Sequence, residues 1–264
     1  MDQNNTIEES SLIYETFVTV EEQGFQVRVG FQINDIIILA GGIVELDFII
    51  ENQGDTPIYF LGGGSSSKKR PDYLLFDGFL QKRYCQLKDP MQNVAEIGGP
   101  VGAIKILSGD SLKQKLILNQ FLTLEDLYNI LGNGEKDTLK IKCHHHLVIG
   151  KTENNVLTNE DIVVRNVKLG LNVQVLQDME KLTQYIRNLT AVLKEHWEIN
   201  STIEEERSIQ RLTAIRIPIV IEYLEQLLGH PNISFNFQIQ SALTTLKNKN
   251  YSLKYGEQQK TFKQ

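Results

Sequence analysis

Cysteine is scarce in this 264-residue chain, with Cys85 and Cys143 its only two. Two thiols cannot build a disulfide framework, although they could close one bridge, and two free thiols are at least an equal alternative. Basic charge is also short: 27 Lys and Arg stand against 33 Asp and Glu, a net charge of −6. That balance argues against a general nucleic-acid binder, which needs a basic face to neutralise phosphates. Long apolar runs are missing as well. The longest, Ile36 to Ala40, is strand-sized and far from the ~20 residues that span a bilayer. The opening Met1-Asp2-Gln3-Asn4-Asn5 lacks the basic stretch and apolar core of a secretory signal. The expected compartment is therefore the cytoplasm, or the periplasm or exterior if a leader once preceded this chain.

What is present suffices for a folded protein. Apolar residues make up 41% and charged residues 23%, which argues against overall disorder. The length suits one large domain or two ordinary ones, and such a chain needs no metal or disulfide staple. The charge divides unevenly. Residues 1–175 carry 16 Lys and Arg against 23 Asp and Glu, and residues 176–264 carry 11 against 10. The acidity thus belongs to the first part.

The first part reads as β. Phe25-Gln26-Val27-Arg28-Val29-Gly30-Phe31-Gln32-Ile33 alternates with period two, the mark of a half-buried strand. Ile43–Glu51 repeats the pattern and stops at the turn formers Asn52-Gln53-Gly54-Asp55-Thr56-Pro57. Further strands are expected at 58–61, 72–77, 79–87, 103–107, 112–118, 138–149 and 162–176. Turns are expected at Asp77-Gly78, Gly98-Gly99-Pro100 and Ser108-Gly109-Asp110. Many short strands with frequent turns indicate a sandwich or barrel. Leu124, Leu127, Tyr128 and Leu131 instead recur at helical spacing and predict a short helix stopped by Gly132.

After Gln177 the period changes. Met179, Leu182, Ile186, Leu189, Leu193 and Trp197 form one helical stripe, with Asp178 as N-cap and the lone Trp197 facing inward. Ser201-Thr202-Ile203-Glu204 fits a capping box for a second helix. Pro218 ends that helix or opens a third, which Gly229 stops. A fourth is expected from about Ser234 to Lys247, with a polar tail after it carrying Lys249, Lys254, Lys260 and Lys263.

Two resemblances follow from these segments. Ile43–Phe60, Asp72–Gly78 and Ile104-Lys105-Ile106-Leu107-Ser108-Gly109-Asp110-Ser111 resemble strands of bacterial immunoglobulin-like sandwiches, the last departing from Leu-x-Pro-Gly-Glu-Ser at Ser108 and Asp110. Ala214–Leu246 is similar to one HEAT-type helical hairpin, through Ile217-Pro218, the leucines 224, 227 and 228, Pro231 and Ala242-Leu243. Both resemblances imply binding rather than catalysis.

Catalytic chemistry is sparse. No Gly-x-Ser-x-Gly occurs. Cys143 cannot pair with His144, because neighbours on a strand point apart. Cys143-His144-His145-His146 does place His144 and His146 on one face, a candidate metal pair that needs a third ligand. Gly62–Ser67 is followed by Lys68, Lys69, Arg70 and Pro71, and a phosphate loop would have to open a helix there. The three cations are instead a candidate grip on a partner protein.

The sequence therefore predicts a multi-domain α+β protein. An antiparallel immunoglobulin-like β-sandwich (12–176) is followed by a small all-α, HEAT-like region of about four helices (177–248). Flexible ends are expected at 1–11 and 249–264. The expected function is non-catalytic protein binding or an adaptor role, of which an inhibitor or toxin-neutralising, immunity-type protein is one form. No cofactor, nucleic acid or membrane partner is expected. The alternatives are a metal-dependent enzyme built on His144 and His146 and a structural subunit whose helices oligomerise.

Overall fold

The computed structural model describes residues 14–33, 37–63, 71, 73–90, 102–195, 197–198 and 200–261, with side chains to residue 248. Lys68, Lys69 and Arg70, the turn at 98–100 and the segment 1–11 lie outside the described residues. The protein is mixed α+β. Its strands are β1 (Glu15–Glu22), β2 (Phe25–Ile33), β3 (Ile37–Leu39), β4 (Glu45–Asn52), β5 (Ile58–Gly62), β6 (Leu74–Leu80), β7 (Cys85–Leu87), β8 (Gly102–Ile106), β9 (Ser111–Ile117), β10 (Lys136–Gly150) and β11 (Ile162–Leu176). Its helices are α1 (Glu125–Ile130), α2 (Glu153–Thr158), α3 (Met179–Glu195), α4 (Ile203–Ala214), α5 (Val220–Glu225) and α6 (Ile233–Thr261).

The chain divides into two compact units. The first comprises the described residues of 1–38, 44–123 and 136–175. One sheet runs β1-β2-β4-β9, and the other runs β3-β11-β10-β5-β8, with β6 on β10 and β7 on β6. The alternation in β2 buries Phe25, Val27, Val29, Phe31 and Ile33. Leu46, Phe48 and Ile50 do the same for β4. These inner faces meet the other sheet: the Phe31 ring lies 5.4 Å from Phe76 on β6, and Phe48 lies 5.1 Å from His145 on β10. The hairpin between β1 and β2 turns at Gln23 and Gly24, both with positive φ, the twist a two-residue hairpin requires.

The expected turn at Asp77-Gly78 is not one. β6 runs straight through it, pairing Asp77 with Lys142 and Gly78 with Ile141. Glycine is there for space: a Cβ on Gly78 would sit 2.8 Å from Leu122 Cδ1. The strand expected over 79–87 is correspondingly broken by a turn at 81–84, in which Tyr84 has φ 51°. The turn at Ser108-Gly109-Asp110 is present, with Gly109 at φ 76°.

The second unit comprises 39–43, 124–135 and the described residues of 176–264. Its core is the stripe Leu182, Ile186, Leu189 and Leu193 of α3, with Ile209 and Leu212 of α4, Leu224 of α5, and Phe235, Ile239, Leu243 and Leu246 of α6. Asp178 caps α3: its Oδ1 accepts the Lys181 amide at 3.0 Å, which holds its carboxyl below the usual carboxylate range. The capping box of α4 lies one residue later than expected. Thr202 Oγ1 accepts the Glu205 amide at 3.2 Å, and Glu205 Oε2 accepts the Thr202 amide at 2.6 Å. Ser201 Oγ instead donates to Glu206 Oε1.

Two further expectations are corrected in this unit. α3 ends at Glu195, so Trp197 lies beyond it and is 41% exposed rather than inward. Its ring still meets the buried His230 at a tilt, with centroids 4.6 Å apart. α6 continues to Thr261, past the expected end at Lys247. From Asn248 to Tyr255 the sequence contains neither proline nor glycine to stop a helix. Among the described residues no helix is long and apolar enough to cross a membrane.

Candidate binding face

β10 carries the sequence Lys140-Ile141-Lys142-Cys143-His144-His145-His146. Its burial alternates residue by residue, because the inner side chains enter the core shared by the two sheets and the outer ones meet solvent. Cys143 and His145 point inward, at 3% and 1% exposure. His144 and His146 point outward with Lys140 and Lys142.

β6 lies antiparallel beside this stretch, and the register sets Leu75 across from His144, Asp77 across from Lys142 and Phe79 across from Lys140. Leu75 is 62% exposed. The Phe79 ring meets Tyr84 at 6.2 Å. His144 Nε2 stands 3.8 Å from Asp77 Oδ2. On the other flank, His146 Nδ1 donates to Asn166 Oδ1 of β11 at 3.0 Å. Asn166 is thereby placed on the outer face, and the period-two pattern puts the exposed Val164 and Lys168 there with it. The far end of β10 is covered by α2, whose Val156 packs over Gly150.

The face is thus a plane of alternating side chains rather than a cleft. Lys142 and His144 stand beside Asp77, with exposed Leu75 and half-buried Phe79 on either side of it along β6. This charge pattern stands on the more acidic part of the chain.

The inward pair has a different character. His145 Nδ1 donates to the Tyr73 carbonyl at 3.3 Å, while its Nε2 is buried with no hydrogen-bond partner. Burial pushes its pKa down to about 4. Burial also raises the Cys143 thiol well above its ordinary value, so it stays protonated. Cys143 and Cys85 are both free.

The structure therefore brings His144 and His146 to one exposed face, as their spacing implies. A metal site would need further ligands. Asp77 approaches His144 and an amide approaches His146, and among the described residues no group of three His, Cys, Asp or Glu side chains is placed to hold a metal ion. No motif marks Lys140, Lys142 or Lys168. The signal for the first two is local, since extending the His-x-His alternation backwards gives Lys-x-Lys-x-His-x-His. Lys168, Leu75 and Asp77 join the face only through strand pairing.

No protein-family model matches the chain, and no curated protein matches it. Among solved structures, the β-glucosidase from Listeria innocua in complex with glucose is 11% identical over 58% of this chain and 16% of its own, with a TM-score of 0.20. The β-glucosidase from that organism in complex with gluconolactone is 11% identical over 64% and 17%, with a TM-score of 0.19. The chain spans about one sixth of the length of those enzymes, and a likeness at this level carries neither fold nor activity across to it.

Proposed function

We propose that this chain is a non-catalytic protein-binding or adaptor protein whose contact surface is the outer face formed by β6, β10 and β11. One observation carries the reading: an outward ladder of half-buried Lys140 and exposed Lys142, His144 and His146 beside exposed Leu75, on a protein of net charge −6. Positive and apolar groups exposed side by side on a rigid sheet suit recognition of another protein. The non-catalytic part of the proposal draws on the inner face. The thiol of Cys143 is buried and held protonated, and His145 beside it is kept neutral, so neither offers a reactive group to solvent. An inhibitor or immunity-type role is the specific form of this reading.

At the level of fold, the proposal reads the two facing sheets as immunoglobulin-like and the helices as one HEAT-type hairpin with a degenerate neighbour. In support, the Ser108–Asp110 turn connects β8 of one sheet to β9 of the other. For the helices, α5 and α6 pack together across Gly229, which has φ 83°.

The test is a pull-down from the lysate of the source organism, with the intact chain and a K140E/K142E/K168E variant as baits. A stoichiometric partner held by the first and lost by the second supports the reading. A partner held equally by both removes this face from it. A second reading, a subunit that oligomerises through its helices, draws on Ile233 and Phe237, one turn apart on α6 and 85% and 66% exposed. A concentration-independent multimer in light scattering that F237E dissociates would favour it.

A further inference from the structure

We infer that the partner's contribution is an acidic polypeptide segment with apolar residues along one edge, lying along β10; the inference rests on the binding reading above. From Lys140 to His146 the outward side chains cover six residue steps, about 20 Å at the rise of a strand. The lysines at 140 and 142 are about 7 Å apart, within the Debye length of ~8 Å at physiological salt, so their fields add. Lys142 lies across from Asp77, the one carboxylate among the described outward residues of β6 and β10 at 74–80 and 140–146, and His144 stands near it.

The apolar edge comes from the neighbouring strand. Leu75 and Phe79 stand across from His144 and Lys140, and Tyr84 beside Phe79 is 84% exposed. Two parallel rows lie about 5 Å apart across the sheet, one of lysines and imidazoles and one in which Leu75 and Phe79 flank Asp77. A segment of about seven residues in extended form matches the length and both rows.

A nucleic acid fits this pattern less well. Its affinity grows with the number of phosphates neutralised, whereas this face offers few cations on an acidic chain. The exposed Leu75 and Val164 give a sugar-phosphate backbone nothing to bind.

The probe is a fluorescein-labelled twelve-residue peptide with Glu at alternate positions and Leu or Ser between them, read by anisotropy against the full chain. The comparison ligands are the same peptide with Gln for Glu and a twelve-nucleotide oligothymidylate. The acidic peptide should bind at least about ten-fold more tightly than either, and more weakly as salt rises. K142E/K168E should weaken it at least about ten-fold, at two- to five-fold for each charge removed and again for each reversed. D77N, which removes the opposing carboxylate without touching a cation, should tighten it about two- to five-fold. A melting curve confirms that each variant is folded. Equal binding of the Gln peptide or the oligonucleotide, or indifference to both variants, overturns the inference. If the peptide fails while the lysate partner is still lost with K140E/K142E/K168E, the acidic segment is wrong and the binding face stands. If the partner is retained by that variant, both fall together.

Discussion

His145 sits in the core with its ring 5.1 Å from Phe48, 5.6 Å from Tyr73 and 6.0 Å from Phe60. A protonated ring there would be a buried cation, which explains the pKa of about 4. In the unfolded chain an imidazole titrates near 6.5, so the unfolded state takes up the proton first as pH falls. The stability from keeping His145 neutral is therefore complete above about pH 6.5 and is lost progressively toward pH 4, about 3 kcal/mol in all. Urea midpoints at pH 7.5 and 4.5 measure it. H145F should shrink the difference, because the ring is replaced by another and the Tyr73 carbonyl keeps the His146 amide at 3.0 Å. A full-sized acid loss in H145F would contradict this. His230 gives a second reading of the same kind. Its Nδ1 accepts the Asn232 amide at 3.1 Å, which places the neutral ring's proton on Nε2. Burial lowers its pKa, with Glu205 pulling the other way. The chain's only tryptophan, Trp197, lies on that ring. Its emission should therefore titrate with a midpoint below 6.5 and lose that step in H230Q. A midpoint at or above 6.5 would contradict the lowered value.

Asn52 closes β4 and shows how one side chain organises several elements. It is 1% exposed. Its Nδ2 donates to the carbonyls of Thr56 at 2.8 Å and Ile106 at 3.2 Å, and its Oδ1 accepts the Gly54 amide at 3.1 Å. N52A removes all three bonds and strands buried groups, so it should cost about 2–4 kcal/mol in denaturant melts. T202A removes half of the capping box and should cost about 1 kcal/mol. In β2, a Cβ on Gly30 would overlap the Thr16 carbonyl oxygen and the Phe17 ring. Glycine there lets Phe17 lie flat across the strand pair, with the Arg28 guanidinium 3.6 Å above its ring. β2 and β4 were legible because one face of each is buried and the other is not. Asp77-Gly78 has turn composition, but Leu122 packs against it and makes it strand. α2 was not legible because Val156 is its one buried residue. The cap of α4 slipped by one because Ser201 and Thr202 are followed by three consecutive glutamates, and only tertiary packing selects Glu205.

The change of period near residue 176 is visible in the sequence, whereas the recruitment of 39–43 and 124–135 into the helical unit is not. Those segments are held by contacts distant in sequence. Gly41 lies where a Cβ would meet Tyr128 and Ile217 at 3.1 and 3.2 Å, and the Gly134 amide donates to the Gln177 carbonyl at 2.7 Å. The binding face divides in the same way. Its β10 row follows from period two alone, and its Leu75, Asp77 and Lys168 members require the pairing of strands. The most direct measurement on that face is lysine acylation of the intact chain, with and without its captured partner, read by mass spectrometry. Lys113 and Lys115 of β9 serve as internal controls, since they lie on the other sheet, half exposed beside Asp47. The account predicts that the partner protects Lys140, Lys142 and Lys168 while Lys113 and Lys115 react as before. Protection of the β9 pair, with Lys140, Lys142 and Lys168 left reactive, would contradict it.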